Sequence, residues 1–153
     1  MKSSNRCLLP LLFAALIPLG AAADDLPGKH PAYLHALTDV RAAHWLIEHR
    51  AGGAQVRADE KRAVLYINET IAELKQAAVD DGKNLDDHPP ADARLDRSGQ
   101  LHRADELLRK ARSDIAREED NGATRGLRDR AIGHLDEAIR ATDLAIRDAT
   151  NRR

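Results

Sequence analysis

The stretch AQVRADEKRAVLYINETIAELKQAAVDD, residues 54–81, decides the fold of this chain. Its apolar residues recur at spacings of three and four, the period of a helix that buries one stripe. The stripe consists of Val64, Ile67, Ile71, Leu74 and Ala78. Gly82 ends the pattern, because glycine commonly follows the last turn of a helix. We therefore predict a helix over residues 55–81.

The same period occurs in three further segments. It predicts helices over residues 31–50, 100–119 and 125–150. Residues 82–99 contain paired prolines, glycines and aspartates, which forbid a continuous helix and indicate a crossover loop. Because no segment shows a convincing strand pattern, the sequence predicts an all-α protein.

A single shift of 68 residues places the first two predicted helices on the last two. It maps Tyr33, Ala36, Val40, Ala43 and Ile47 onto Leu101, Ala104, Leu108, Ala111 and Ile115. One interpretation is a pair of similar helical hairpins, and the other is a chance match between amphipathic helices. In both cases the short turns make neighbouring helices antiparallel, so we predict an antiparallel four-helix bundle made of two similar hairpins.

The beginning of the chain has the pattern of a signal peptide. A positively charged start precedes an apolar run over residues 8–19, and Ala21 and Ala23 supply small side chains at the cleavage site. An uncleaved anchor is the alternative, but a membrane-spanning helix needs about 20 apolar residues. We therefore predict cleavage after Ala23, a single domain over residues 24–153, and a periplasmic or secreted location.

Composition excludes several kinds of function. Cys7 and Met1 are the only sulfur-containing residues, and both precede the predicted cleavage site. The remaining chain would carry 22 basic and 25 acidic residues, a formal net charge of −3 without the basic face of a nucleic-acid-binding protein. It also contains only three aromatic residues, too few for a base-stacking surface.

Catalytic patterns are missing from the sequence. After residue 23 the nucleophile candidates are Ser98 and Ser113, and neither lies in a nucleophile-elbow pattern. The sequence has no Gly-rich phosphate loop, no His-Glu-x-x-His and no Glu-x-x-His. We therefore predict a protein that is not an enzyme.

Histidines and aspartates suggest a metal site near the crossover. We expect the start of the first helix, the end of the second, the crossover and the start of the third to meet at one end of the bundle. That arrangement would gather a cluster of histidines and aspartates: His30, His35, His88, His102, Asp80, Asp81, Asp86 and Asp87. We predict His35, His88, His102, Asp81 and Asp87 as the metal ligands, because imidazole and carboxylate side chains together suit zinc, copper or nickel. The alternative is that these residues are ordinary solvated surface.

Two further hypotheses concern histidine. His44 falls on the predicted buried stripe of the first helix. It is either a hydrogen-bonded core residue or a residue whose protonation on acidification loosens the bundle. Haem could be bound only by two histidines, because the chain lacks Cys-x-x-Cys-His and loses Met1 with the leader.

Four segments resemble a family of small exported bacterial α-helical proteins that has no assigned function. They are HPAYLHALTDVRAAHWL at 30–46, AAVDDGKNLDDHPP at 77–90, LLRKARSDIAREEDN at 107–121 and GLRDRAIGHLDEAI at 126–139. The resemblance covers nearly all of the chain after the leader. It implies a helical fold and export, and it implies no activity, cofactor or site residue.

These observations favour a non-enzymatic helical protein of the cell envelope that binds another protein or a small ligand. After cleavage we expect no membrane span and no nucleic-acid partner, and the sequence leaves a monomer and a dimer equally open. A holdase-like or adaptor protein of the envelope stress response is the alternative, which an exposed apolar patch would support. A haem-carrying bundle is the second alternative.

Overall fold

The computed structural model of the chain describes residues 30–49, 57–80, 94–118, 121–122 and 124–151. These ranges contain four α-helices and no strand: α1 Pro31–Glu48, α2 Ala58–Asp80, α3 Arg97–Arg117 and α4 Leu127–Thr150. The predicted all-α fold of four helices is confirmed. None of these helices has an apolar stretch long enough to cross a bilayer. The predicted signal peptide, residues 1–23, lies outside the described residues.

Three helices begin at residues that differ from the prediction; α4 begins two residues later than predicted, at Leu127. The start of α3 is three residues earlier than predicted, because the Asp96 carboxylate accepts a hydrogen bond from the Gly99 N–H at 2.7 Å and caps the helix. Gly99 therefore belongs to the first turn and not to the loop. The start of α2 is later than predicted, at the point where the Arg57 N–H donates to Glu60 Oε2 at 2.9 Å.

Neighbouring helices run antiparallel. α1 and α4 each pack against both α2 and α3. Between α1 and α3, Ala32 lies beside Glu118, and Asp39 lies beside Lys110, so residue numbers rise on one helix as they fall on the other.

The same relation holds between α2 and α4, where Glu73 contacts Arg130 and Glu69 contacts His134. The two hairpins thus pack against each other through like helices, α1 with α3 and α2 with α4.

The direction of α3 corrects one expectation. Because α3 is antiparallel to α1, its first turn lies at the end of the bundle where α1 ends and α2 begins. Arg97 forms an ion pair there with Glu60 at the start of α2. The prediction that the starts of the first and third helices meet at one end was therefore wrong. We call the end where α1 begins the His30 pole and the opposite end the Glu60 pole.

The shift of 68 residues relates the buried faces of the two hairpins. All ten residues that the sequence analysis matched between α1 and α3, Tyr33 to Ile47 and Leu101 to Ile115, are buried. The buried residues Ala63, Ile67, Thr70, Leu74 and Ala77 of α2 correspond by the same shift to the buried residues Ala131, Leu135, Ala138, Thr142 and Ala145 of α4. The hairpins are therefore similar in which positions they bury.

The buried stripe of α2 differs in phase from the predicted one. Val64 and Ile71 are only partly buried, whereas their smaller neighbours Ala63, Thr70 and Ala77 are fully buried. Small side chains at these positions allow α4 to come close, and α4 presents alanines of its own. The larger residues consequently lie at the edge of the interface. The side chain of Ala78 lies outside the described set.

Candidate functional site

Two candidate ligands of the predicted metal site lie far apart. His35 is exposed on α1, and His102 is exposed on α3. The register that joins Asp39 to Lys110 places His102 opposite Ile47, so the two histidines are separated by about 18 Å along the bundle axis. Metal–nitrogen bonds measure about 2 Å, and these two histidines therefore do not share one ion.

The other three candidates, His88, Asp81 and Asp87, lie outside the described residues. In the part of the chain that the structure describes, no group of three or more His, Cys, Asp or Glu side chains is arranged to hold a metal ion. A zinc, copper or nickel site built from the remaining candidates stays a prediction, as does haem binding.

His44 is less buried than its position in the apolar pattern predicts. Its side chain is 23 % exposed, and Nδ1 lies 3.5 Å from Glu48 Oε2 on the next turn of α1. This histidine therefore lies at the edge of the core, paired with a carboxylate that is itself largely in water.

The buried histidine is instead His30, which the sequence analysis placed in the predicted histidine and aspartate cluster and not in the core. It is 3 % exposed at the N-cap of α1. Its Nε2 lies 2.8 Å from Nδ2 of Asn121, and its Nδ1 lies 3.9 Å from Oε1 of Glu118. The Asn121 Oδ1 in turn accepts the backbone N–H of Thr124 at 3.1 Å. We call His30, Glu118, Asn121 and Thr124 the His30 network.

Glu118 also caps the first helix. The N-cap of α1 makes no side-chain hydrogen bond of its own, and the Ala32 N–H donates to Glu118 Oε2 at 2.8 Å. A carboxylate near the first turn also interacts favourably with the helix dipole. The C-cap residue of α3 therefore also caps the first turn of α1.

At the Glu60 pole a carboxylate is buried completely. Glu60 is 0 % exposed, accepts the Arg57 backbone N–H and pairs with Arg97. Removing one partner from a buried ion pair leaves an uncompensated charge, which is costly. The pair therefore links the two hairpins at the point where α2 and α3 begin.

Between the poles, further ion pairs connect α3 to its neighbours. Lys110 donates to Asp39 of α1 at 2.5 Å. Arg109 contacts Asp105 on its own helix and Asp143 on α4. The hydrogen bond with Asp105 is the main cause that raises the pKa of Arg109, and Asp143 adds to it. Similarly, the hydrogen bond from Arg112 to Asp136 raises the pKa of Arg112.

The outer face of α2 carries an apolar stripe that sequence periodicity did not indicate. Ala58, Leu65, Ala72 and Val79 follow one another at heptad spacing, and all four are exposed. The exposed fraction is 54 % for Leu65 and 66 % for Val79. Residues seven apart lie almost above one another on a helix, so these four form one line, which we call the α2 stripe.

Charged residues flank the α2 stripe unevenly. Lys61 and Lys75 lie one turn from Leu65 and Val79, respectively. The acidic residues of this part of α2, Glu69 and Glu73, contact α4. Lys61 and Lys75 therefore make one flank of the stripe positive, whereas Glu69, whose side chain is 42 % exposed, lies on the flank toward α4.

No family model, curated protein or solved structure matches the chain. The candidate site therefore depends on the geometry described above.

The sequence held a signal for the α2 stripe but only a weak one for His30. The spacing of Leu65 and Val79 is visible in the sequence, yet the stronger pattern of Ile67 and Leu74 hides it. The burial of His30 depends on Glu118 and Asn121, which are distant in sequence. Local periodicity carries no information about such contacts.

Proposed function

We propose that this chain is an exported helical protein of the cell envelope that acts by binding a partner protein through the α2 stripe. The leader-like residues 1–23 and the resemblance to exported helical proteins support the location. The surface exposure of Leu65 and Val79 is the observation that carries the binding role. Apolar side chains gain free energy when a partner removes them from water.

The chemistry of the stripe specifies the partner. Leu65 and Val79 are separated by the small Ala72, so the face is narrow and ridged and suits a helix better than a flat sheet. Lys61 and Lys75 favour acidic residues beside the partner's apolar ridge. The proposed partner is therefore a protein that presents an acidic amphipathic helix.

The proposal is tested by photo-crosslinking in cells that export the full chain. A photoreactive amino acid at Ala72 should give one discrete adduct, because this position lies in the middle of the stripe. The double change Leu65→Ser and Val79→Ser should abolish the adduct. The matched control is Leu144→Ser, which alters a leucine that is 42 % exposed on α4 and is not part of the stripe. This control should leave the adduct unchanged.

The adduct also distinguishes the holdase-like alternative, which the same exposed stripe favours. A holdase would give many adducts of different mass, and the purified protein would suppress aggregation of a chemically denatured client. Both effects would require Leu65 and Val79. If position 72 gives no adduct, or if Leu144→Ser removes it as fully as the double change does, the stripe is not the binding surface.

A further inference from the structure

His30 is held at the His30 pole by contacts from two directions. Its carbonyl oxygen accepts the N–H groups of Tyr33 and Leu34 at 3.1 and 3.3 Å, which fixes its backbone at the start of α1. Its ring lies 5.5 Å from the ring of Tyr33. On the other side the ring meets Asn121, which belongs to the connection between α3 and α4.

The orientation of the Asn121 amide fixes the protonation of His30. The backbone N–H of Thr124 can only donate, so the Asn121 atom 3.1 Å away is the oxygen Oδ1. The atom that faces His30 is then the amide nitrogen Nδ2, which also can only donate. Nε2 of His30 must therefore accept, and the neutral ring carries its proton on Nδ1, the atom nearer to Glu118.

We propose that the His30 network is a pH-operated switch between two hydrogen-bond arrangements. When the ring is neutral, Asn121 Nδ2–H donates to Nε2, and the Thr124 N–H donates to Oδ1. A proton taken from solvent onto Nε2 turns this atom into a donor that faces another donor. Asn121 then rotates its amide so that Oδ1 accepts from Nε2–H, and the Thr124 N–H loses its acceptor.

Charged groups around the ring explain why the bundle stays folded when His30 is protonated. Glu118 of α3 lies 3.9 Å from Nδ1 and stabilises the imidazolium, which offsets part of the cost of burying a charge. Its other oxygen keeps the Ala32 N–H at 2.8 Å, so the cap of α1 persists. Arg128 of α4 donates to the Glu118 carbonyl at 3.4 Å.

Protonation consequently breaks the hydrogen bond between the Thr124 N–H and Asn121 while α1 stays attached through Glu118. The switch would alter the shape of the His30 pole on acidification without unfolding the bundle. It does not involve the α2 stripe, so it stands or falls independently of the proposed function.

The test is an NMR titration of the full mature chain from about pH 8 to about pH 5, the range over which histidines titrate. At the alkaline end, the ring nitrogens of His30 should show Nε2 without its proton. As His30 becomes charged, the Thr124 amide proton should shift toward the position of an unbonded amide, with the same midpoint. The side-chain amide of Asn121 should follow the same curve.

The variant Asn121→Asp separates the switch from a general effect of acid. A carboxylate accepts from both the Thr124 N–H and the charged ring, so the Thr124 signal should stay fixed. The midpoint of the His30 signal should move to higher pH than in the unaltered chain, because the new carboxylate favours the charged ring. The control His44→Gln removes a histidine that pairs with Glu48 and should leave the Thr124 curve unchanged.

The switch is excluded by any of three results: a proton on Nε2 rather than Nδ1 at the alkaline end, a Thr124 signal that stays constant while His30 titrates, or an unchanged midpoint in Asn121→Asp. The first two are read from the unaltered chain, so they hold even if the variant folds poorly.

Discussion

At the scale of single residues, buried polar side chains connect one helix to another. Glu118 ends α3, yet its carboxylate serves the first turn of α1, a helix whose own N-cap supplies no acceptor. The sequence contains no hint of this partnership, because the two residues are 86 positions apart.

Glu118→Ala should lower the free energy of unfolding by about 1 kcal/mol, the usual cost of losing an N-cap acceptor. The Ala32 N–H loses its partner at 2.8 Å, and the expected effect is a lower midpoint in urea denaturation. Glu106→Ala in the same helix is the control. The Glu106 side chain is 65 % exposed and pairs with Arg103 at the surface, so this change should cost less than about 0.5 kcal/mol. Equal losses in the two variants would contradict the capping role.

At the scale of helices, α2 and α4 pack through small residues. Ala63, Thr70 and Ala77 on α2 are buried together with the alanines of α4, and this is why the two helices can come close. The hydroxyl of Thr70 does not need a partner on α4, since it donates to the Tyr66 carbonyl at 2.9 Å.

Ala138→Leu should destabilise the bundle by about 1–3 kcal/mol, because Ala138 is 0 % exposed and added atoms in a packed core force neighbouring side chains to shift. Thermal unfolding followed by circular dichroism measures the loss. Ala116→Leu adds the same atoms at an exposed position of α3 and should change the free energy of unfolding by less than about 0.5 kcal/mol. A bundle that tolerates both changes equally would show that α2 and α4 are not closely packed.

The sequence predicted the helices better than their relative placement. The period of three and four located all four helices, and it did so because each buries one stripe. It missed the phase of α2, where Ala63 and Ala77 are more deeply buried than Val64 and Ile71, since hydrophobicity does not encode close approach. It also placed the start of α3 at the wrong end of the bundle. The direction in which the second hairpin docks depends on contacts such as Arg97 with Glu60, which no local pattern shows.

The same limit applies to the candidate sites. The predicted metal site required His35 and His102 at one end, and the antiparallel docking of α1 and α3 separates them. Conversely, the heptad spacing of Leu65 and Val79 is present in the sequence, but it could be read as an exposed stripe only when the buried face of α2 was known.

At the scale of the whole molecule, the proposed location depends on the leader, which is open to a direct test. Mass spectrometry of the exported protein should find Asp24 as its first residue. Ala23→Leu should block processing, because the residue before the cut must be small. Ala22→Leu is the matched control and should be processed normally, since the position between the two small residues is not restricted. Identical processing of both variants would place the cleavage site elsewhere.

The order of the helices along the chain has a consequence for synthesis. The first hairpin buries Val40 and Ile67 in a core completed by α3 and α4, and those are the parts that the ribosome releases last. A partly synthesised chain therefore cannot complete its hydrophobic core. For the proposed export this delay would be useful, since the polypeptide would stay narrow enough to thread through a translocon until its final helix has emerged.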